Sequence, residues 1–430
     1  MFDYPIFEMP LIGHRLLFAF DAIIHVLISH GAAVGGSIVV CFLEYLAIKR
    51  NDPKLDELAY KVLFVFFIAA TSIGALTGIG IWIHANIIDP PAIGSLLRVF
   101  FWKWFVEWIV FNIELIFLLI WFLTWKTWTG PKKNMHWRMG FIYAVSSWLT
   151  MAIITAILGF MMTPGHWLAQ EFPPEPDYMA ALMNPSWIPS LAFRTFGAIA
   201  WAATIATMYV LLFTERDCET RTIAIRVLGR FLFGASLLAL VGGYWYYLQF
   251  PPQARELFVI AGLTRRLMGH PELLYGGLLI ALGVLFGTGV YAYLYPRRTP
   301  VVFGTLMAVA SIFLVGEFER IREFSRKPWV IYDFMYAHGI RKADVPYLNK
   351  EGVLKFASFV PNEYRTITAN NKEQVGQYLF HLECRFCHTA NGINAITSRI
   401  RNMSEEAIYH RIGALNSPAT PFMPPFVGTD

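Results

Sequence analysis

Eight long apolar stretches, separated by short polar connections, fill the first three quarters of the chain. Each is long enough to cross about 30 Å of hydrocarbon as a helix. The pattern therefore predicts an all-α, polytopic bundle of about eight transmembrane helices. They cover roughly residues 14–48, 59–84, 97–126, 137–163, 189–214, 225–249, 270–295 and 300–323.

The charges of the connections predict how this bundle is oriented. The first, third, fifth and seventh connections are basic, and basic connections stay on the cytoplasmic side. The fourth connection, 164–188, has no Lys or Arg and carries Glu171, Glu175 and Asp177, as expected of an outer loop. Eight spans with the N-terminus outside also return the C-terminus to the outside. The basic residues are Lys49, Arg50 and Lys54, then Lys126, Lys132, Lys133 and Arg138, then Arg216, Arg221 and Arg226, and finally Arg297 and Arg298.

Composition supports a membrane protein with a small polar tail. Hydrophobic residues make up 56% of the 430 residues and charged residues 15%, whereas soluble domains average about 25% charged residues. The net charge of +5 is unremarkable in a membrane protein, so we expect no nucleic-acid partner. The start of the chain lacks the basic stretch of a cleavable signal, and the first helix is expected to direct insertion.

A C-x-x-C-H run near the C-terminus predicts one covalent haem c. The two thiols, Cys384 and Cys387, would bond to the haem, and His388 would be one axial ligand of its iron. A redox dithiol or half of a zinc site is the alternative reading. Neither explains His388, and the other two cysteines, Cys41 and Cys218, lie far upstream.

The second axial ligand of this haem is expected about thirty residues later. Met423 lies in a Pro-rich run where small class I cytochromes c carry their methionine ligand. Met403 and His410 are the alternatives.

The haem c motif also divides the chain. Covalent haem c is assembled on the outer side of an energy-transducing membrane, so the tail should be periplasmic. We expect a haem-binding membrane domain over 1–323, a polar connecting segment over 324–370 and a cytochrome c domain over 371–430.

Ionisable groups inside the predicted spans are candidates for function, because they are costly in hydrocarbon. On the first span, Asp21 and His25 share a helix face, and the glycines that follow allow close approach of a helix or a flat macrocycle. On the third span, Glu107 and Glu114 lie two turns apart on one face and suit a proton relay. Pairing of Glu107 with Lys103 is the structural alternative.

Residues 1–335 resemble subunit I of the cytochrome bd-type quinol oxidases. The run from Arg15 to His25 is similar to the first helix of that family, and 74–78 is similar to its G-x-x-T-G patch. Arg266-Leu267-Met268 is similar to its R-x-M motif. The run from Glu323 through Arg326 to Trp329 is similar to its E-x-G-R-Q-P-W motif.

The resemblance implies roles for these residues. His25 and Glu323 would ligate the two haems of an active-site pair, and Met268 would ligate a low-spin b haem. Glu107 and Glu114 would carry protons. Arg15, Arg266, Arg326 and Trp329 would contact haem, so that the membrane domain holds one to three haems of type b or d.

The chain also departs from the family pattern. Thr195 stands at or near the position of the family's histidine ligand on the fifth span, so the low-spin site is lost or uses His270 or His166. The quinol loop is short, at about 250–269. Ser325 and Lys327 replace a Gly and a Gln, and a cytochrome c domain stands in place of the family's last span.

Two functions follow from this reading. The first is a bd-like oxygen reductase of the bacterial inner membrane, fed with electrons by a periplasmic cytochrome c. The second is an electron-transfer subunit that links quinone to a periplasmic carrier without oxygen chemistry. A haem-bearing anchor for other subunits is a third reading. A second membrane subunit, a larger respiratory complex and membrane lipid are the expected partners.

Overall fold

The computed structural model describes residues 7–169, 178–263, 267, 269–356 and 360–429. The predicted acidic outer loop (Glu171, Glu175, Asp177) and two predicted haem-site residues, Arg266 and Met268, lie outside these ranges.

Eight helices among the described residues are long and apolar enough to cross a membrane, which confirms the predicted all-α bundle. They are α1 (His14–Arg50), α2 (Pro53–Ile88), α3 (Pro90–Thr124), α4 (Gly130–Met162), α5 (Trp187–Phe213), α6 (Glu219–Tyr247), α7 (Pro271–Leu294) and α8 (Val301–Ser325).

Helices α2 and α3 begin several residues earlier than the apolar pattern predicts. The carboxylate of Asp52 accepts hydrogen bonds from the amides of Lys54 and Leu55, both at 3.0 Å. Asp89 likewise accepts from the amide of Ala92 at 3.1 Å. These are N-caps followed by proline at the first helical position, so polar capping extends each helix beyond its apolar run.

Two of the spans contain a wide turn close to the predicted functional residues. Helix α1 widens over Ser29–Gly35 and α2 over Ala69–Gly74. Such i→i+5 turns are rare and occur frequently at functional sites. The first begins four residues after His25, and the second ends at Gly74, the first residue of the G-x-x-T-G patch.

The glycines of α1 serve helix packing. A Cβ on Gly31 would lie 1.9 Å from Cδ1 of Trp201 on α5, and one on Gly35 would lie 2.1 Å from the carbonyl oxygen of Ala198. Of the two uses expected for this patch, the structure therefore displays the close approach of another helix.

The segment after α8 folds onto the bundle. Strands β1 (Trp329–Ile331) and β2 (Met335–Tyr336) form an antiparallel hairpin, and the amide of Tyr332 donates to the carbonyl of Met161 at 2.9 Å. Ile331 and Met335 are buried with residues of α3 and α4. Apolar contacts thus hold part of the expected polar connection against the membrane domain.

The C-terminal residues form short helices. The first and longest that follow the hairpin are α9 (Val345–Glu351), α10 (Lys372–Glu383) and α11 (Glu405–Gly413). Two shorter helices lie between these, Val353–Phe356 and Thr397–Ile400. Three more short helices lie in the connections of the bundle: Tyr178–Leu182, Pro252–Glu256 and Phe258–Gly262.

Candidate haem sites

The C-x-x-C-H run directly follows α10, and its histidine is held in one orientation. Nδ1 of His388 lies 3.1 Å from the carbonyl oxygen of Asn394. A carbonyl only accepts, so Nδ1 carries the proton and Nε2 keeps the lone pair that a metal needs. Burial lowers the pKa of His388, which keeps the ring neutral. The histidine therefore fits an axial haem ligand.

Two observations bear on the other readings of the motif, a redox dithiol and half of a zinc site. Cys384 and Cys387 are free thiols. Burial, with the nearby Glu383, raises the pKa of Cys384 to about 12, whereas redox-active thiols have a lowered pKa. Among the described residues, no group of three or more His, Cys, Asp or Glu side chains could hold a metal ion.

This segment contacts the N-terminal end of α1. The guanidinium of Arg385 donates to the carbonyl of Phe7 at 2.6 Å, and the amide of Ile393 donates to the carbonyl of Leu11 at 2.8 Å. The guanidinium of Arg15 lies 3.8 Å from the sulphur of Cys387. The predicted haem c segment is therefore in direct contact with the first turn of α1 and the residues just before it.

The run that contains Met423 packs at the same end of the bundle. The ring of Phe422 lies 5.5 Å from that of Phe324, just beyond Glu323. The amide of Val427 donates to the carboxyl of Glu383 at 2.9 Å, and His338 donates to the carbonyl of Pro425 at 3.3 Å. These contacts bring the run back to α10.

The two alternative distal ligands have other partners. The side chain of His410 is 73% exposed and lies 3.8 Å from the carboxylate of Glu406. The sulphur of Met403 accepts a long contact, 4.0 Å, from Arg411. Of the three candidates, Met423 alone lies in the run that packs against the end of α8.

His25 on α1 is also oriented for a ligand. Its Nδ1 lies 3.1 Å from the hydroxyl oxygen of Thr77, and that hydroxyl donates to the carbonyl of Ile73 at 2.7 Å. The Thr77 oxygen must then accept the Nδ1 proton, which leaves Nε2 free for iron. Gly78 lies beside the ring: a Cβ at this position would lie 3.2 Å from Cε1 of His25.

The other ionisable residues of α1 form pairs that the sequence reasoning missed. Nδ1 of His84 on α2 lies 2.9 Å from the carboxylate of Asp21. Nδ1 of His30 lies 3.4 Å from the guanidinium of Arg194 on α5. These contacts join residues far apart in sequence, and helical periodicity carries no signal of them.

Glu323 lies in a cluster of cations at the end of α8. Both of its oxygens accept from Arg326, at 2.6 and 2.7 Å, and Lys327 lies at 3.6 Å. Nη2 of Arg326 is the donor in both contacts, and each carboxylate oxygen keeps a second lone pair, so Glu323 could bond to iron while it stays paired with Arg326.

Unpaired donors lie beside this cluster. Nη1 of Arg326 and Nε1 of Trp329 are buried without a hydrogen-bond partner among the described residues. Buried donors are normally paired. Both were predicted to contact haem, and carboxylates such as haem propionates would satisfy them.

A buried ion network occupies the region around Thr195. Arg194 lies 2.9 Å from Glu319, and Glu319 accepts from Arg322 at 3.0 Å. Thr195 itself accepts from Nε1 of Trp148 at 2.9 Å. Helix α5 contains no histidine, so it offers no imidazole ligand for a low-spin haem.

The histidines expected as substitutes face away from the bundle. The side chain of His270 is 60% exposed and pairs with Glu272 at 2.8 Å, and His166 is exposed. The structure therefore brings neither of them to Thr195. The proposed methionine of this site, Met268, lies outside the described residues.

Glu107 and Glu114 lie at different depths along α3. Glu114 is 7% exposed and accepts from the hydroxyl of Thr150 on α4 at 3.2 Å. No ion pair joins Glu107 to Lys103 in the part of the chain that the structure describes, which includes both. The arrangement suits carboxyl groups that take up and release protons.

Comparisons with known proteins bear on the membrane-spanning part of the chain. Residues 14–250 match the family model "Cytochrome bd terminal oxidase subunit I". The bd oxidase from Geobacillus thermodenitrificans has a similar fold, with a TM-score of 0.60 over 86% of this chain and 94% of that chain, at 14% sequence identity. No curated protein matches the chain.

The family match covers more than half of the chain, from α1 to the residues just after α6. Proteins of this family are haem-containing membrane subunits of bacterial respiratory oxidoreductases, bind haems of type b or d, and function with a second subunit and quinone. On the shared spans and the matched residues, this chain belongs to the cytochrome bd terminal oxidase subunit I family.

Proposed function

We propose that this protein is a bd-type oxygen reductase subunit that receives electrons through a covalent haem c at its C-terminus. The observation that carries the proposal is the contact between two ligand-bearing segments. The C-x-x-C-H run, with His388 oriented for iron, packs on the end of α1, and α1 also carries His25.

The chain's own residues set the path for electrons. Arg15 lies between Cys387 and Phe324, with its guanidinium 5.5 Å from the Phe324 ring centroid. His25 lies ten residues further along α1, about 15 Å deeper at helical rise. Haem groups at these two positions would supply the electron transfer and the binding of oxygen.

Cations of this region suit the acidic edges of haem. Arg15, Arg326 and Lys327 lie around the single carboxylate of Glu323. The surplus of positive charge and the unpaired Arg326 donor favour anionic partners. We assign Arg15, Arg326 and Trp329 to propionate binding, and Met423 to the distal position of haem c.

Glu107 and Glu114 supply protons in this proposal. Both lie on α3, where Glu107 is half-buried and Glu114 is buried, and Thr150 orients Glu114. In the family, quinone delivers the electrons. Here the sequence between the sixth and seventh spans, about 250–269, is short, and Gln253 donates to the carbonyl of Pro421 in the C-terminal segment at 3.5 Å.

The second candidate is an electron-transfer subunit that joins quinone to a periplasmic cytochrome c without reducing oxygen. The family's use of quinone favours it. A second membrane subunit fits either function, since the family functions with one, and that subunit or lipid would cover the large apolar side chains that α2 and α3 leave exposed. We assign the C-terminal domain to the periplasm, since a covalent haem c would be assembled on the outer side of the membrane.

The test is oxygen consumption by the purified protein. We expect oxygen uptake with reduced soluble cytochrome c and carbon monoxide binding at a high-spin haem. A protein that binds no carbon monoxide and reduces cytochrome c with quinol would support the second candidate instead.

A further inference from the structure

Four ionisable side chains lie together at the basic, cytoplasmic end of α1, α2 and α4. They are Glu44, Asp56, Lys133 and His136, and we name them the uptake cluster. Glu44 and His136 are 0% exposed. Oε1 of Glu44 lies 2.5 Å from Nδ1 of His136 and 3.2 Å from Nζ of Lys133.

The uptake cluster reaches water through Asp56. The carboxylate of Asp56 lies 2.9 Å from Nζ of Lys133, and its side chain is 28% exposed. Nε1 of Trp125 donates to the other oxygen of Asp56 at 3.1 Å. A continuous set of contacts therefore leads from the surface to the fully buried Glu44.

The pair of Glu44 and His136 holds one movable proton. Nε2 of His136 lies 2.8 Å from the carbonyl oxygen of Trp121, and a carbonyl only accepts, so Nε2 carries a proton. The short contact between Nδ1 and Oε1 then needs a second proton, which resides on either atom. Oε2 of Glu44 accepts from Nε1 of Trp121 at 2.8 Å, which fixes the carboxyl group.

Charge balance makes that proton replaceable. With it present, the positive charges of Lys133 and the proton match the negative charges of Glu44 and Asp56. Its loss leaves one buried negative charge uncompensated, which is costly. A proton that leaves inward is therefore replaced from the cytoplasmic water at Asp56.

The inner side of the cluster continues toward Glu114 along the contact between α3 and α4. Tyr143 lies two turns beyond His136 on α4, is 2% exposed, and has its ring 5.9 Å from that of Trp121. Thr150, two turns further, donates to Glu114. These residues share one face of α4, since they are spaced by seven.

We propose that the uptake cluster is the group through which cytoplasmic protons reach Glu114. The inference rests on the proposed function of Glu114. An electron that a reductant delivers to a bound membrane haem would add a negative charge in a low dielectric. One proton from the Glu44–His136 pair moves inward to balance it, and one proton from water refills the pair.

The test measures proton uptake when the membrane haems are rapidly reduced, without oxygen. The full-length protein is placed in vesicles with its cytoplasmic side outward, and a pH-sensitive dye in the medium reports the rate. We expect Glu44→Gln to slow uptake by about tenfold or more, at full haem content. Glu44→Asp should restore part of the rate.

The matched control is Glu57→Gln. Glu57 lies at the same end of α2, is 50% exposed and pairs only with Lys61, at 3.6 Å, among the ion pairs of the described residues. Its variant should take up protons at the normal rate. A normal rate in Glu44→Gln with full haem content would overturn the proposal.

A second variant keeps the test decisive if Glu44→Gln fails to fold. Asp56→Asn alters the partly exposed residue through which the cluster contacts water. Slow proton uptake in this variant would support the proposal, and a normal rate would contradict it. Because this measurement needs no oxygen, a protein that consumes none would refute the proposed oxygen reduction and still test the uptake cluster.

Discussion

The guanidinium of Arg15 lies 3.8 Å from the sulphur of Cys387, although 372 positions separate them in the chain. This contact joins the helix that carries His25 to the segment that carries His388. In the proposed function, this contact makes the C-terminal domain part of the electron path rather than an appended module.

Replacement of Cys384 or Cys387 by alanine should disturb the covalent attachment of haem. Each thiol is expected to form one bond to the macrocycle. Haem staining of the denatured protein on a gel reports the attachment. Cys41→Ala, in the buried part of α1, is the control and should stain normally, and normal staining of the double Cys384/Cys387 variant would refute covalent haem.

His25→Ala should lose one membrane haem and keep the covalent one. Its imidazole supplies the free Nε2, fixed by Thr77. A pyridine haemochrome spectrum counts haem b or d against haem c. His270→Ala alters an exposed histidine and should keep every haem. Unchanged haem content in His25→Ala would show that His25 is a packed polar residue and not a haem ligand.

Much of this picture was predictable, because it rests on local patterns. Apolar length predicts the eight spans, which the structure confirms, whereas the haem c site indicated by the C-x-x-C-H run stays a prediction. The hairpin at Trp329–Ile331, the network around Arg194 and the contact of Arg385 with Phe7 were missed. They depend on segments that meet only in the folded chain, and hydrophobic periodicity along the sequence does not predict such contacts.

Glu114→Gln should lower oxygen consumption by about tenfold or more, because an amide cannot carry a proton through the bundle. Glu107→Gln should act in the same direction. Oxygen uptake per haem measures the effect. Asn112→Ala, on the exposed face of the same helix, should be neutral, and equal loss in all three variants would indicate damage to α3 instead.

Glu319→Gln should destabilise the membrane domain by about 3–5 kcal/mol, because Arg194 and Arg322 would lose the carboxylate between them. All three side chains are buried. Thermal unfolding in detergent gives the change. Glu317→Gln, whose partner Arg320 is partly exposed, should cost about 1 kcal/mol or less, and equal costs would contradict the account.

The C-terminal domain should become less stable as pH rises from about 4.5 to about 8. Burial raises the pKa of Glu383 from 4.5 to about 8, against the lowering effect of the Val427 amide. The folded state keeps its proton over this range while the unfolded chain loses it, so stability falls with pH. Hydrogen exchange of 372–429 measures it.

Glu383→Gln should remove most of that pH dependence, since an amide does not titrate. Glu373→Gln, in the exposed first turn of α10, should keep it. The same slope in Glu383→Gln and the unaltered protein would contradict the burial of a protonated Glu383.

The most direct test of the central claim is oxygen uptake driven by reduced soluble cytochrome c, compared between the unaltered protein and Cys384→Ala/Cys387→Ala. We predict rapid uptake in the first and loss of uptake in the second, with the membrane haems retained in both. Uptake that persists in the double variant, or that occurs with quinol and not with cytochrome c, would contradict electron delivery through the C-terminal haem.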